Sequence, residues 1–278
     1  MLQPTVRSTV ASRRIRVVRA GSAFDRTDRL AAEEPLEIRA GGPGQEPAEV
    51  AVTMRTPGHD FELSVGFLFT EGLVRDRAEI SSVAYCELPE DEQRFNVVTV
   101  RLTRPFDPDV VRRNFYATSS CGVCGKASMD HLEVRCDRLP DGPVTRPEVL
   151  LGLPHVLRDA QRIFEQTGGL HAAGLFDLDG RLLSLREDVG RHNAVDKLVG
   201  EALLAGGLPL GRRILLVSGR ASFELVQKAA VAGVPILCAV SAPSSLAVEL
   251  AEESGMTLVA FLRDDTMNVY AGAERVTD

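Results

Sequence analysis

The chain has 278 residues, 44% hydrophobic and 26% charged, with a net charge of −7 and no tryptophan. That size suits one large domain or two smaller ones, and the composition is that of a soluble globular protein rather than a disordered one. The acidic balance and 5% aromatic content argue against a nucleic-acid platform, no run of about 18 apolar residues is present to span a membrane, and Met1–Ala20 lacks the apolar centre of a secretory signal.

In chain order, Arg14–Arg19 alternates like a strand, and Pro35–Ile38 and Val50–Met54 are short β-type runs separated by the loop Gly41–Gly44. Pro57-Gly-His-Asp60 precedes an apolar stretch, Phe61–Leu73. This stretch predicts a helix capped by Asp60, with Glu62 in its first turn, and buried because it is apolar nearly all round. Ser82–Cys86 and Phe95–Leu102 read as strands joined by an acidic turn at Glu90–Glu92. Ala117–Lys126 holds small residues, glycines and two cysteines and makes no apolar face of either period, so it reads as an exposed loop or a turn leading into helix. No pattern is legible over 129–144.

The second half is the more regular. Val149–Phe164 carries apolar residues at 153, 156, 157, 160, 163 and 164, one amphipathic helix ended by Gly168-Gly169. Ala172–Phe176 and Leu182–Leu185 flank a hairpin turn, Asp177-Leu-Asp-Gly180, and a helix follows from Asn193. Strands Ile214–Val217, Pro235–Val240 and Thr257–Leu262 then alternate with helices Ser222–Ala232 and Ser244–Ser254. Short, continuously apolar strands alternating with helices predict an α/β fold with parallel strands covered by helices.

Five cysteines, 86, 121, 124, 136 and 238, are odd in number and irregular in spacing, which fits a reducing cytosol better than a disulfide framework. Cys86 and Cys238 lie in apolar strands and read as buried small hydrophobes. Cys121-Gly-Val-Cys124-Gly-Lys126 is the sharpest chemical signal. A C-x-x-C pair serves as a redox dithiol, as half of a metal site or as a sulfur-handling nucleophile. For a zinc site the further ligands would be His131 and Cys136, at a spacing that is not a standard ribbon, and no long strand leads into the pair as in thioredoxins. The third use suits the surroundings. Lys126 and glycine-flanked N–H donors favour a thiolate, and flanking glycines let a persulfide reach another protein. Cys121 would hold the sulfur and Cys124 would assist or release it by exchange.

Each parallel strand ends in a polar turn: Ser218-Gly-Arg220, Ser241-Ala-Pro-Ser-Ser245 and Arg263-Asp-Asp-Thr266. Ligands of open α/β sheets lie beyond the carboxyl ends of the strands, where helix N-termini offer N–H groups to phosphate. Arg220 and Arg263 suit bidentate phosphate contacts, and Asp264 or Asp265 suits the donor edge of guanine. Glu187-Asp-Val-Gly-Arg-His-Asn193 concentrates polar groups at a strand-to-helix turn, which serves either as structural capping by Asp188 or Asn193 or as a phosphate site through Arg191 and His192. Thr167-Gly-Gly-Leu-His171 adds a second histidine.

These motifs, with Ser119–Gly125, Thr167–Ala172, Glu187–Lys197, Ser218–Arg220, Ser241–Leu246 and Met267–Tyr270, resemble in order the formate dehydrogenase accessory sulfurtransferases of the FdhD type, from about Val50 to Tyr270. The resemblance implies a carrier that takes persulfide sulfur from a cysteine desulfurase and passes it to the bis-guanine-dinucleotide molybdenum (or tungsten) cofactor destined for formate dehydrogenase. It implies Cys121 and Cys124 as the sulfur-handling pair and Phe261, Leu262, Arg263, Asp264, Asp265 and Thr266 as the cofactor segment; Arg191, His192, Ser218 and Arg220 join them as cofactor-binding candidates from the residue chemistry above. It further implies a cytoplasmic homodimer without a permanent cofactor or metal. The expected layout is an α+β part over 1–112, a Cys-x-x-Cys loop and linker over 113–145, and a cytidine-deaminase-like layered sheet over 146–278. A zinc deaminase itself needs His-x-Glu ahead of its cysteine pair, whereas here His171 is followed by Ala172-Ala173 and the pair comes first. A cofactor chaperone that does not transfer sulfur is the other rival.

Overall fold

A computed structural model describes residues 8–86, 93–109 and 138–277. Among them the chain forms three sheets. Strands β1 (Val10–Arg19) and β2 (Ser22–Ala31) make a two-stranded hairpin that stands apart from the other sheets. Strands β3 (Glu34–Gly41), β4 (Ala48–Arg55), β5 (Ile80–Tyr85) and β6 (Val97–Leu102) form a sheet ordered β4-β3-β6-β5, with β3 and β6 parallel. The third sheet is ordered β12-β11-β10-β9-β7-β8. In it β9 (Ile214–Val217), β10 (Ile236–Ala239) and β11 (Thr257–Arg263) are parallel. Antiparallel strands flank them: β7 (His171–Phe176) with β8 (Leu182–Asp188) on one side and β12 (Thr266–Ala271) on the other.

Helix α2 (Pro147–Ala160) covers one face of the six-stranded sheet, placing Leu150, Leu153 and Leu157 against Ile214, Leu216, Ile236 and Cys238. Helices α4 (Arg191–Leu204), α5 (Phe223–Val231) and α6 (Ser245–Ser254) share a core with its other face. All four residues of β9 and of β10 are therefore buried, as strands covered on both faces must be. The same core continues through α1 (Asp60–Thr70) into the four-stranded sheet.

Helices α1 and α4 touch through glycine. A Cβ on Gly66 would lie 1.9 Å from the Asp196 carbonyl oxygen, and one on Gly200 1.9 Å from that of Glu62. Around this crossing, charges are buried in pairs. Arg55, wholly buried, donates to the Asp60 carboxylate through Nε (2.9 Å) and Nη2 (2.8 Å), and the Tyr85 hydroxyl adds a third bond at 2.9 Å. Lys228 meets Glu71 at 2.8 Å and Asp196 at 3.0 Å. Burial works to lower the Lys228 pKa, but the two carboxylates outweigh it and hold the ammonium above its ordinary range.

Several expectations are corrected here. Asp60 is not a cap: the cap position is His59, in the left-handed region at φ 58, and Asp60 is the first helical residue, committed to Arg55. The single helix over Val149–Phe164 is two, broken at Gln161 before α3 (Arg162–Thr167). Strands β2 and β12 appear where none was predicted, and Cys86 is half-buried rather than interior. The hairpin at Asp177–Gly180 and the αL stop at Gly168 form as expected. Among the described residues, no helix is long and apolar enough to cross a membrane.

Candidate functional site

At the carboxyl ends of the parallel strands the three polar turns meet. Two of them open helices: β9 leads through Ser218-Gly-Arg220 to the cap Ser222 of α5, and β10 leads to the cap Ser244 of α6, whose hydroxyl accepts the Ala247 N–H. Backbone bonds stitch them together, with Ala221 N–H donating to the Ala242 carbonyl and Ser241 N–H to that of Gly219. The third turn is different. Arg263 pairs with Thr266 across a tight hairpin, with Asp264 at φ 43, so no helix N-terminus is offered there.

Beside these ends lies a cleft of about 700 Å³. Ser218, Leu262, Arg263 and Asp264 line it, together with His171, Gly168, Gly169, Val189 and Val240, and with His155, Arg158 and Phe164 from α2 and α3. Ser218 is tied to β7: its hydroxyl accepts the Ala172 N–H at 2.9 Å and its own N–H donates to the Ala172 carbonyl at 3.0 Å. That double link fixes His171, the first residue of β7, at the cleft wall. Helix α3, which brings Phe164 to the cleft, is held by Glu187, whose carboxylate accepts the Ile163 and Phe164 N–H groups in its first turn. Arg158 lies over the Phe164 ring at 4.1 Å, a cation held against an aromatic face.

The Glu187–Asn193 knot divides its labour. Asp188 is wholly buried and meets Lys197 at 2.6 Å; it also accepts N–H groups from Thr56 and Gly190 and a bond from Asn193. Lys197 donates to the Thr56 carbonyl at 2.8 Å. Asp188, Asn193 and Lys197 thus weld β4 to the start of α4, which is more than the surface capping read from the sequence. Arg191 and His192 remain for the site. A Cβ on Gly219 would come within 3.4 Å of His171 Nδ1 and 3.8 Å of Arg191 Cδ, so both side chains flank the turn after β9. Arg191 Nε is buried without a hydrogen-bond partner among the described residues. His192 turns toward α5, pairing with Glu224 at 2.8 Å and lying 3.3 Å from the Ser222 hydroxyl.

Of the cofactor residues expected from the sequence, Ser218, Leu262, Arg263 and Asp264 come together at the cleft. Phe261, Asp265, Thr266 and Arg220 are exposed near the same strand ends but do not line it. Cys121 and Cys124 lie outside the described residues, as do His131 and Cys136. Cys238 is buried in β10, which pushes its thiol far up. Sequence reasoning missed Arg158 and His155, which in the chain read only as the wet side of an amphipathic helix, and Phe164, which read as part of its apolar face.

His171 carries the clearest titration signature. Burial lowers its pKa first, the Arg191 guanidinium and, when protonated, the His192 ring lower it further, and Asp188 only partly offsets them. The imidazole is therefore neutral at pH 7. Its depressed folded pKa adds stability that is present above the ordinary value of about 6.5 and is lost as pH falls through the folded pKa. An NMR titration is expected to place His171 below the ordinary histidine range. A His171 signal that titrates in the ordinary histidine range would contradict this placement.

The sequence model of the FdhD/NarQ family matches residues 31–277. The chain is 55% identical over 272 residues to the sulfur carrier protein FdhD of Streptomyces avermitilis, covering 95% of this chain and 94% of that one. It is 53% identical over 277 residues to the protein of the same name from Mycobacterium tuberculosis, covering 96% and 98%. Among solved structures, a protein of Desulfotalea psychrophila assigned as a formate dehydrogenase accessory protein superposes with a TM-score of 0.74 at 26% identity, over 97% of this chain and 100% of that one.

Proposed function

The chain belongs to the FdhD/NarQ family, and from that premise we propose that it is a cytoplasmic sulfurtransferase, a persulfide carrier that sulfurates the molybdenum cofactor of formate dehydrogenase. The names of its relatives support sulfur carriage and service to formate dehydrogenase. The observation that carries the cofactor half is the convergence of Ser218, Leu262, Arg263 and Asp264 on one cleft beside His171 and Arg191. Arg263 and Arg191 supply cation for a diphosphate, and Asp264 supplies an acceptor for the N1–H and N2 donors of guanine. In this reading the six-stranded sheet and its helices are the deaminase-like cofactor part over 146–278, with 1–112 as the α+β part and 113–145 as the segment bearing the thiols.

The sulfur chemistry rests on the pair. The Cys121 thiolate attacks the outer sulfur of a persulfide on a cysteine desulfurase; that S–S bond breaks, and the donor leaves as a thiolate. Cys124 then attacks Cys121 Sγ, forming a Cys121–Cys124 disulfide and expelling the outer sulfur as sulfide for the molybdenum of the bound bis-guanine-dinucleotide cofactor. Two electrons from a cellular thiol reset the pair.

The test is direct. After incubation with a cysteine desulfurase and cysteine, intact mass is expected to rise by one sulfur, mapped to the peptide containing Cys121 and removed by a reducing thiol. No gain, or a gain confined to Cys86, would overturn the assignment.

A further inference from the structure

Gln161 stands at the break between α2 and α3, 5% exposed and in the lining of the cleft. Its backbone is fully committed: its N–H donates to the Arg158 carbonyl, and its own carbonyl accepts the Glu165 N–H. It occupies the cap position of α3, yet its side chain makes no capping bond. Glu187 does that work from β8, taking the Ile163 and Phe164 N–H groups that a capping side chain would reach. The Gln161 carboxamide is therefore left without a hydrogen bond among the described residues. It is not sealed in either. Among the described residues the sealed, unpartnered side-chain atoms are Arg191 Nε and Arg275 Nε, so the carboxamide keeps some open surface, and the space that Gln161 lines is the cleft.

A buried amide with no partner destabilises a fold, and a side chain of the same length without polar atoms avoids that cost. The other polar groups of the cleft have work already. The Ser218 hydroxyl accepts the Ala172 N–H, Arg158 lies on the Phe164 ring, and Arg263 donates to the Val240 carbonyl. As cations the two arginines suit phosphate, whereas a neutral amide offers an uncharged carbonyl a donor that does not draw phosphate to itself. Leu157, Phe164 and Leu262 supply apolar surface for a flat ring.

We infer that Gln161 reads position 6 of a guanine base in the cleft, its Nε2–H donating to O6 while Asp264 accepts from N1–H and N2. The inference rests on the guanine reading of the cleft proposed above and adds the one polar atom of that edge which Asp264 cannot serve. Acceptor O6 lies next to the two donors on the base, so a neutral donor beside a carboxylate matches the whole edge. Gln161 alone could turn its amide around and accept from the amino group of adenine. Adenine then turns the lone pair of N1 toward Asp264, so the pair excludes a base that neither residue excludes by itself.

Calorimetry of the full chain with guanosine diphosphate and with 6-thioguanosine diphosphate tests this. Sulfur at position 6 is a poor acceptor and leaves N1–H and N2 in place. The unaltered protein is expected to bind the oxygen nucleotide roughly three- to tenfold more tightly than the thio analogue. Gln161→Met keeps the length of the side chain and removes both polar atoms. It is expected to weaken guanosine diphosphate by the same factor, to leave the thio analogue near its original affinity, and to melt at an unchanged or higher temperature. A glutamine that only supports the fold gives the reverse, a lower melting temperature and an equal loss for both nucleotides, and that result would overturn the inference. So would equal affinity of the unaltered protein for the two nucleotides, a measurement that needs no variant. No binding of guanosine diphosphate at all would instead overturn the guanine reading of the cleft, and the role of Gln161 with it.

Discussion

A Cys121→Ser variant is expected to drop formate dehydrogenase maturation to background while keeping its melting temperature and its affinity for guanine nucleotide. Serine is close in size, but its hydroxyl is un-ionised at neutral pH and does not exchange with a persulfide, whereas a thiol near its pKa of about 8.5 does. Among the described residues the cleft is lined by the ends of β9 and β11 and by α2 and α3. Loss of function with retained binding therefore separates a sulfur carrier from a cofactor chaperone. A Cys124→Ser variant is expected to take up sulfur on Cys121, seen by mass, and to release it slowly. The readouts are methyl-viologen-linked formate oxidation in cells that lack the endogenous carrier, and calorimetry with guanosine diphosphate. Maturation at wild-type level by the serine variant would sink the mechanism.

Gly200→Val is expected to prevent stable folding. Any Cβ there lies 1.9 Å from the Glu62 carbonyl oxygen, and the facing Gly66 makes the same demand on Asp196. Both obstacles are backbone within helices and cannot step aside as a flexible side chain does. Relief requires α1 and α4 to separate along the seam that joins the four-stranded sheet to the six-stranded one. In a close-packed interior that costs about 3 kcal/mol or more, a large share of a typical total of 5–15 kcal/mol. A control is at hand in α2: a Cβ on Gly152 meets nothing within 4 Å, so Gly152→Ala should stabilise by about 0.5–1 kcal/mol. Urea denaturation of the two variants reads the contrast. Equal midpoints would show that the helix contact does not govern stability.

The parallel strands and their helices were legible because burial on both faces leaves unbroken apolar runs, such as Ile214–Val217 and Ile236–Ala239, between polar turns. Strand β2, Ser-Ala-Phe-Asp-Arg-Thr-Asp-Arg-Leu-Ala, was not legible, because a ribbon with little burial needs no apolar alternation to form. Strand β12 was hidden for the same reason, with three of its six residues exposed at a sheet edge. At the site, residue chemistry pointed to Ser218, Arg263, Asp264 and His171, and they do share a cleft. Chemistry alone could not divide the Glu187–Asn193 knot into weld and site, since Asp188 differs from Arg191 only in what lies across from it. That partner, Thr56, is supplied by a distant strand. Asp60 was misread likewise: it has the composition of a cap, but Arg55 reached it first.

The weld has a consequence for how the chain comes to be folded. Thr56 and Asp188 are 132 residues apart, and Thr70 and Lys228 are 158 apart. At synthesis rates of about 5–20 residues per second, Lys228 leaves the ribosome roughly 8–30 s after Thr70. For most of that interval α1, largely apolar, has no α4 (Arg191–Leu204) to lie against, and closing so long a loop slows the search once α4 arrives. The nascent chain is therefore expected to benefit from holding chaperones until α4 and α5 have emerged, and expression at lower temperature with chaperone supply is expected to raise its soluble yield.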